Sequence, residues 1–320
     1  MGFNEIIGHE KQKQMFLSVL KRERLPHAFL FTGQEGIGKK KTAKEFAKHI
    51  LCEEHNNCGI CRHCIKIERG IHPDVLIIEN EDPIGIDQSR TIGREVYEYP
   101  YEGDRRIILI DRADTMTHEA VNALLKTLEE PPLFNIFFLI TSSERDVPLT
   151  IRSRCARVGF SPLSKELLQQ YYIDNANMDE RNAELLSHIS QGSIGCGFFW
   201  MEQDHLILRR KLAELIMGKD RSFIHVTLMS ERIARSHREL TMFLSFLLSL
   251  FRDMSVMSEY RETSMMINRD MLELLKTESV NTKWIEVSIG RIQETFGMLR
   301  YNINKLLAIE TMLLDIMEQK

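Results

Sequence analysis

Residues 28–42 read AFLFTGQEGIGKKKT, and the order of chemistry along them decides the fold. Residues 28–31 are a short apolar run of the kind a buried strand needs. Gly33, Gly36 and Gly38 then allow the backbone amides to curl around a phosphate, and a helix opens with Lys39 where a phosphate-binding lysine belongs. The residue after that lysine should be Ser or Thr, whose hydroxyl ligates the magnesium ion of a bound nucleotide; Lys40 stands there instead. Thr42, two residues on, points away from the required position on a helix.

Working outward, further apolar runs at residues 75–78, 107–110 and 136–140 are spaced widely enough for helices between them, which predicts buried parallel strands. Between the last two, Val121, Leu124, Leu125 and Leu128 fall at i, i+3, i+4 and i+7, and Pro131-Pro132 stops that helix. Residues 1–162 are therefore expected to form a doubly wound α/β domain with its ligands at the carboxyl ends of the strands. All eight prolines lie at or before Pro162, and the remainder reads in helical period with many Leu and Met. One helical segment from residue 165 to about 191 runs into the cluster Gly192-Ser-Ile-Gly-Cys-Gly197, read as a boundary. An all-helical stretch follows to Lys320, its last helix apolar at Leu306, Leu307, Ile309, Leu313, Leu314 and Ile316.

The third strand ends in Asp111, the acid that would hold magnesium's water shell. In a working ATPase of this kind a Glu follows and polarises the attacking water. Arg112 follows here, and a guanidinium cannot accept a proton at neutral pH; losing a general base costs ~10²–10⁴ in rate. With Lys40 this makes two independent defects, so Gly33, Gly36, Gly38, Lys39 and Asp111 are expected to form a degenerate nucleotide site in which ATP and magnesium are not bound or not hydrolysed. Lys39 still permits occupancy without turnover.

The 42 basic and 46 acidic residues give a net charge of −4, which lacks the basic footprint of an independent duplex binder. Nucleic-acid contact is then local or made through partners. The opening MGFNEIIGHEKQ has no apolar signal core, and residues 240–251 are too short a greasy run to span a bilayer, so a cytoplasmic chain without a membrane segment is expected. In that compartment six cysteines are metal ligands or buried thiols. Cys52, Cys58, Cys61 and Cys64 crowd one polar loop, and two C-x-x-C steps sharing Cys61 can place four sulfurs around a structural zinc with no open position. His55 and His63 are nearby alternatives; Cys155 and Cys196 are distant and unrelated.

After the fourth strand come Thr141-Ser142-Ser143 and then Thr150-Ile-Arg-Ser-Arg154-Cys155. Arginines in a loop are usually solvated, but a strand, a polar tip and Ser-Arg-Cys resemble the element by which ATPase rings project an arginine into a neighbour's nucleotide site. Other blocks agree: Phe3-Asn-Glu-Ile-Ile-Gly8, Arg24-Leu-Pro-His-Ala-Phe-Leu-Phe31, His72-Pro-Asp74, Leu124-Leu-Lys-Thr-Leu-Glu-Glu-Pro-Pro132 and Asn302-Ile-Asn-Lys-Leu-Leu-Ala-Ile-Glu310. Together they resemble the AAA+ clamp-loader family that serves bacterial DNA polymerase III, densely over the first domain and thinly over the rest.

The resemblance implies a RecA-like AAA+ domain (1–162) with a zinc-binding module at about 52–64, a small helical lid (163–205) and an all-α C-terminal collar domain (206–320). It implies a non-hydrolysing stator that works with ATP-hydrolysing gamma/tau subunits and a delta subunit to open a sliding clamp and place it on primer-template DNA. Arg154, flanked by Ser153 and Cys155, would act in trans on the ATP of an adjacent gamma/tau subunit. Two departures stand out: Cys52 and Cys58 are closer together than the family's spacing, and Cys196 replaces the lid's sensor arginine. The alternative within the family is an active gamma/tau-type motor, which would need Ser or Thr in place of Lys40 and Glu in place of Arg112. A free-standing zinc-dependent nucleic-acid binder is disfavoured, because Arg62, Lys66 and Arg69 are offset by Glu53, Glu54 and Glu68.

Overall fold

Strands β1 (Ala28–Thr32), β2 (Val75–Ile78), β3 (Arg106–Ile110), β4 (Asn135–Thr141) and β5 (Ala156–Gly159) pair in parallel in the order β2-β3-β4-β1-β5. The computed structural model describes residues 3, 5–21, 25–79, 84–202, 204–218, 222–260, 263–276, 281–299, 301 and 303–320, with backbone alone at 86–89 and 260. Asn4, Arg24 and Asn302 of the motif blocks lie outside the described residues.

Successive side chains of a strand point to opposite faces, and both faces of this sheet are covered. Phe29, Phe31, Leu109 and Phe138 meet Phe16 of α1 (Glu10–Lys21), Phe46 of α2 (Lys39–Leu51) and Ile67 of α3 (Arg62–Glu68). Leu30, Ile108, Ile110 and Leu139 face the other way, toward Ile92 of α4 (Ile86–Glu95), Leu124 and Leu128 of α5 (His118–Glu129) and Ile151 of α6 (Leu149–Arg152). Aromatic contacts fill the first face: Phe29 and Phe138 stack with centroids 5.3 Å apart, and Phe16 lies 4.4 Å from Phe46. The expected strands are all present. β5 is a fifth that periodicity missed, because Ala-Arg-Val-Gly is too short and polar to show a buried run; it is an edge strand whose Ala156 to Gly159 align with Phe29 to Thr32.

The chain divides into two units, Met1–Leu167 with Gly192–Gly195, and Leu168–Gln191 with Cys196–Lys320. The second is helical: it takes in α7 (Lys165–Ala176) and α9 (Ile194–Met201), whose first residues are counted with the first unit, and α8 (Glu180–Ile189), α10 (His205–Met217), α11 (Phe223–Ile233), α12 (His237–Tyr260), α13 (Leu272–Lys276), α14 (Thr282–Met298) and α15 (Lys305–Glu318). The segment expected as one helical run from 165 is two helices, broken where Asn177 takes φ 49° and restarted by Asp179, whose side chain caps α8 at the Asn182 amide. The division between the units falls within the glycine cluster, part of which is regular structure. Gly195, Cys196 and Gly197 are helical, and a Cβ on Gly197 would collide with Tyr172 Oη.

α12 is long and apolar enough to cross a membrane by length and composition, a longer stretch than residues 240–251 alone suggested. Its Leu240, Phe243, Leu244, Leu247, Leu250 and Phe251 are buried in the second unit's core. Phe251 packs edge-on against Trp284 of α14 at 5.2 Å, and the Trp284 indole N–H donates to Ile316 O on α15 at 2.7 Å.

Candidate functional site: a phosphate loop, an arginine and four thiols

Strand register places the cleft. Ile78 aligns with Ile110, and the Asp111 amide donates to Ile78 O at 2.9 Å, so Glu79 and Asp111 emerge side by side at the carboxyl ends of β2 and β3. Thr32 aligns with Thr141, which sets the glycine loop beside the Ser142 tip. Gly33, with φ 146°, has no room for a side chain, since a Cβ would meet Phe160 O at 2.5 Å. Gly38, at φ 105°, lets the chain turn into α2 at Lys39.

Every carbonyl of the loop from Gly33 to Ile37 has a donor. The Lys39 ammonium donates to Gly33 O at 2.5 Å and Gln34 O at 2.7 Å, Ser193 Oγ to Glu35 O at 2.7 Å, the Gly195 amide to Gly36 O at 2.9 Å, and His9 Nε2 to Ile37 O at 3.0 Å. The loop is thus held in place from sequence positions as remote as Ser193 and Gly195. Burial brings the Lys39 ammonium down to about 8, against the attraction of Asp111, Glu35 and Asp114. Thr42 is fully buried, and its hydroxyl donates to Gly38 O at 2.9 Å rather than facing the cleft.

Lys40 extends to the strand ends, where its Nζ is ion-paired with Glu79 and lies 3.9 Å from Asp111 Oδ2. Burial raises the Asp111 pKa, and the Lys40 charge opposes that rise. Arg112 adopts the left-handed backbone at φ 53°, and its amide donates to Asp111 Oδ1 at 3.0 Å. Ser142 Oγ reaches Asp114 Oδ2 at 3.5 Å. The structure therefore brings Gly33, Gly36, Gly38, Lys39 and Asp111 into one cleft. It adds Glu79, which the sequence reading did not single out, although an acid directly after a strand was a signal that could have found it.

Arg154 lies just beyond α6. Its guanidinium donates to Thr150 O at 2.8 Å and to Glu129 Oε1 of α5 at 2.5 Å, and its side chain is one-third exposed. The Ser153 hydroxyl donates to Thr150 O at 3.0 Å. Burial pushes the Cys155 thiol up to about 12, so it stays neutral and packs against the α5 face of the sheet.

The sulfurs of Cys52, Cys58, Cys61 and Cys64 lie within 4.8 Å of one another, with Cys52 and Cys61 at 4.0 Å. Four thiolates about 2.3 Å from one zinc would stand roughly 3.8 Å apart, so the set fits a tetrahedral ion after a small contraction. Amides already point at the sulfurs: Cys58 N–H at Cys52 Sγ (3.4 Å), Cys61 N–H at Cys58 Sγ (3.3 Å) and Cys64 N–H at Cys61 Sγ (3.4 Å). Burial raises the Cys52 thiol, but amides of Cys58, Asn56 and Glu54 outweigh it and bring it down to about 6; Cys61 is lowered in the same way, while burial raises Cys64.

His63 is turned away from the thiols into a relay. The Asp74 amide donates to His72 Nδ1 at 3.0 Å, so the neutral His72 carries its proton on Nε2 and donates it to His63 Nδ1 at 2.7 Å. His63, His72 and Glu102 also cluster closely enough for a metal, but with Nε2 protonated His72 has no lone pair to give. Asp74, fully buried, accepts the amides of Tyr101 (2.5 Å), Glu102 (2.8 Å) and Gly103 (2.9 Å), which ties the knuckle's neighbour to the turn before β3.

A five-stranded parallel sheet, whose β1 feeds a glycine loop and a lysine-headed helix, is followed in the chain by a helical C-terminal region. The family model described as DNA polymerase III, delta subunit, matches residues 8–164. DNA polymerase III subunit tau of Bacillus subtilis is 30% identical over 243 residues, 70% of this chain and 43% of that protein. Subunit gamma/tau of Mycoplasma pneumoniae is 29% identical over 208 residues, 63% of this chain and 30% of that one, so the chain spans less than half the length of either relative. Subunit delta' of Bacillus subtilis is 27% identical over 317 residues, 95% of each chain. Among solved structures, a gamma subunit-related protein of Thermotoga maritima is 17% identical at a TM-score of 0.48, covering 95% of this chain and 99% of that one. The family-model match and the likeness to subunit delta' along nearly the whole chain support a clamp-loader subunit family of DNA polymerase III.

Proposed function

We propose that this chain is a delta-prime-type subunit of the bacterial replicative clamp loader. It would hold no working ATPase of its own and would lend Arg154 to the ATP of a neighbouring gamma/tau subunit. The observation that carries this reading is the cleft. Lys40 replaces the magnesium-ligating hydroxyl and points at Asp111, Arg112 replaces the general base, and Thr42 is turned inward. The delta' relationship, which runs through 95% of this chain including its helical half, supports the same choice. An arginine finger neutralises charge on the transferring phosphoryl group, so a chain with no turnover of its own can still act in catalysis.

The partners on this reading are gamma/tau, delta, the sliding clamp and, through the assembled complex, primer-template DNA, all in the cytoplasm. Residues 1–162, 163–205 and 206–320 would serve as the AAA+ domain, lid and collar. Zinc held by Cys52, Cys58, Cys61 and Cys64 would be structural, because four thiolates leave no position for substrate. The several gamma/tau relatives favour a second reading, an active motor. The test is ATP hydrolysis by the purified chain, wild type against Lys39→Ala. Absence of turnover supports the stator; turnover lost with Lys39 establishes the motor.

A further inference from the structure

Two groups converge on the metal in a magnesium-dependent phosphate loop: the hydroxyl after the loop lysine, and the water shell held by the acid ending the third strand. In this chain the residues at those two positions still converge. Lys40 takes the hydroxyl's place in sequence, and its ammonium lies 3.9 Å from Asp111 Oδ2 while pairing with Glu79, the acid that strand register sets beside Asp111. The Lys40 and Asp111 side chains are 28% and 22% exposed, so the charges are only partly screened. Lys39 does not compete for these carboxylates, because its ammonium is turned onto Gly33 O and Gln34 O.

We propose that the Lys40 ammonium occupies the cation position of this cleft: a tethered single charge that neutralises Glu79 and Asp111 and excludes a divalent metal. A magnesium or manganese ion must approach a carboxylate oxygen to about 2.1 Å. At Asp111 it would then lie against an ammonium of like sign that cannot diffuse away. Lys40, rather than the missing base at Arg112, is thus the residue that sets the ion chemistry of the cleft. This goes beyond the subunit assignment and stands on cleft geometry; it is independent of any role for Arg154, whereas ATP turnover in this chain's own cleft would count against it as well as against the stator reading.

The test is manganese binding by the full chain loaded with zinc, followed by the electron paramagnetic resonance of free Mn²⁺ and by thermal unfolding at matched ionic strength. Wild type is expected to take up no Mn²⁺ that Asp111→Asn removes. Lys40→Met should gain one site at least tenfold tighter than any in wild type, with a saturable rise in Tm, and Lys40→Met/Asp111→Asn should lose both. Lys40→Thr, which restores a hydroxyl, should gain the same site and serves if Lys40→Met does not fold. Mn²⁺ uptake by wild type that depends on Asp111 overturns the proposal. So does a folded Lys40 variant that binds no more Mn²⁺ than the double variant.

Discussion

Arg154 and Glu129 are joined across the space between the loop after α6 and the end of α5, with the guanidinium donating to the carboxylate at 2.5 Å. The pair is partly exposed on both sides, at 33% and 50%, and such pairs contribute only ~0–1 kcal/mol. A phosphate presented by a neighbouring subunit can therefore displace Glu129 at little cost. Arg154→Ala should leave Tm and assembly with gamma/tau and delta nearly unchanged while lowering DNA-stimulated ATP turnover, with a loss of ~10³ or more at the one site it serves. Steady-state hydrolysis by the reconstituted complex measures this, and unchanged turnover would remove Arg154's role.

The four-thiol knuckle predicts about one zinc per chain by elemental analysis of protein purified without chelators. Cys61→Ser removes the sulfur shared by both C-x-x-C steps and an acceptor of the Cys64 amide, so it should abolish metal retention and lower Tm. A chain that is fully folded and metal-free as isolated would contradict the assignment.

Asp74 accepts three backbone amides while fully buried. Asp74→Ala leaves those donors without a partner at ~1–3 kcal/mol for each that water cannot reach. A loss of roughly 3 kcal/mol or more in denaturant unfolding is expected, and a loss below about 1 kcal/mol would mean the turn at 101–103 is held by something else.

Gly197 faces Tyr172 Oη, which is hydrogen-bonded to Ser190 Oγ at 3.0 Å. Gly197→Ala should destabilise by ~1–3 kcal/mol through overpacking, even though alanine favours helix. Adding Tyr172→Phe to Gly197→Ala should recover part of the loss, because the hydroxyl is the nearest atom in the way, while Tyr172 Cζ at 2.5 Å and Ser190 Oγ at 2.7 Å from the added Cβ remain. Strictly additive effects in that double-mutant cycle would show that the two residues do not interact.

Burial lowers the Lys39 pKa from 10.5 to about 8. Between those values the unfolded chain binds the proton that the folded chain has released, so this group's contribution to stability rises with pH from about 8 to 10.5. The stability of wild type relative to Lys39→Met should therefore increase over that window in paired unfolding curves. A flat difference would place the Lys39 amine in contact with solvent.

The repeated apolar runs and the glycine loop were readable because their signals are local. Phe29 and Phe31 alternate with Ala28 and Leu30, glycines are needed where φ is positive or a backbone passes close, and four cysteines in one loop announce themselves by spacing. β5 was not readable, since Ala156 to Gly159 gain their place only by pairing with β1.

Pattern along the chain determined the buried strands, the position of the phosphate loop, the lysine where a hydroxyl belongs and the thiol cluster. Tertiary structure alone decided that Lys40 reaches Glu79 and Asp111, that Ser193 and Gly195 clasp the loop from far down the chain, that Glu129 holds Arg154, and that His63 turns to His72 instead of to the thiols. The physical reason is range. Periodicity and turn chemistry act over a few residues, whereas an ion pair or hydrogen bond between remote residues exists only after strand register has set their backbones side by side.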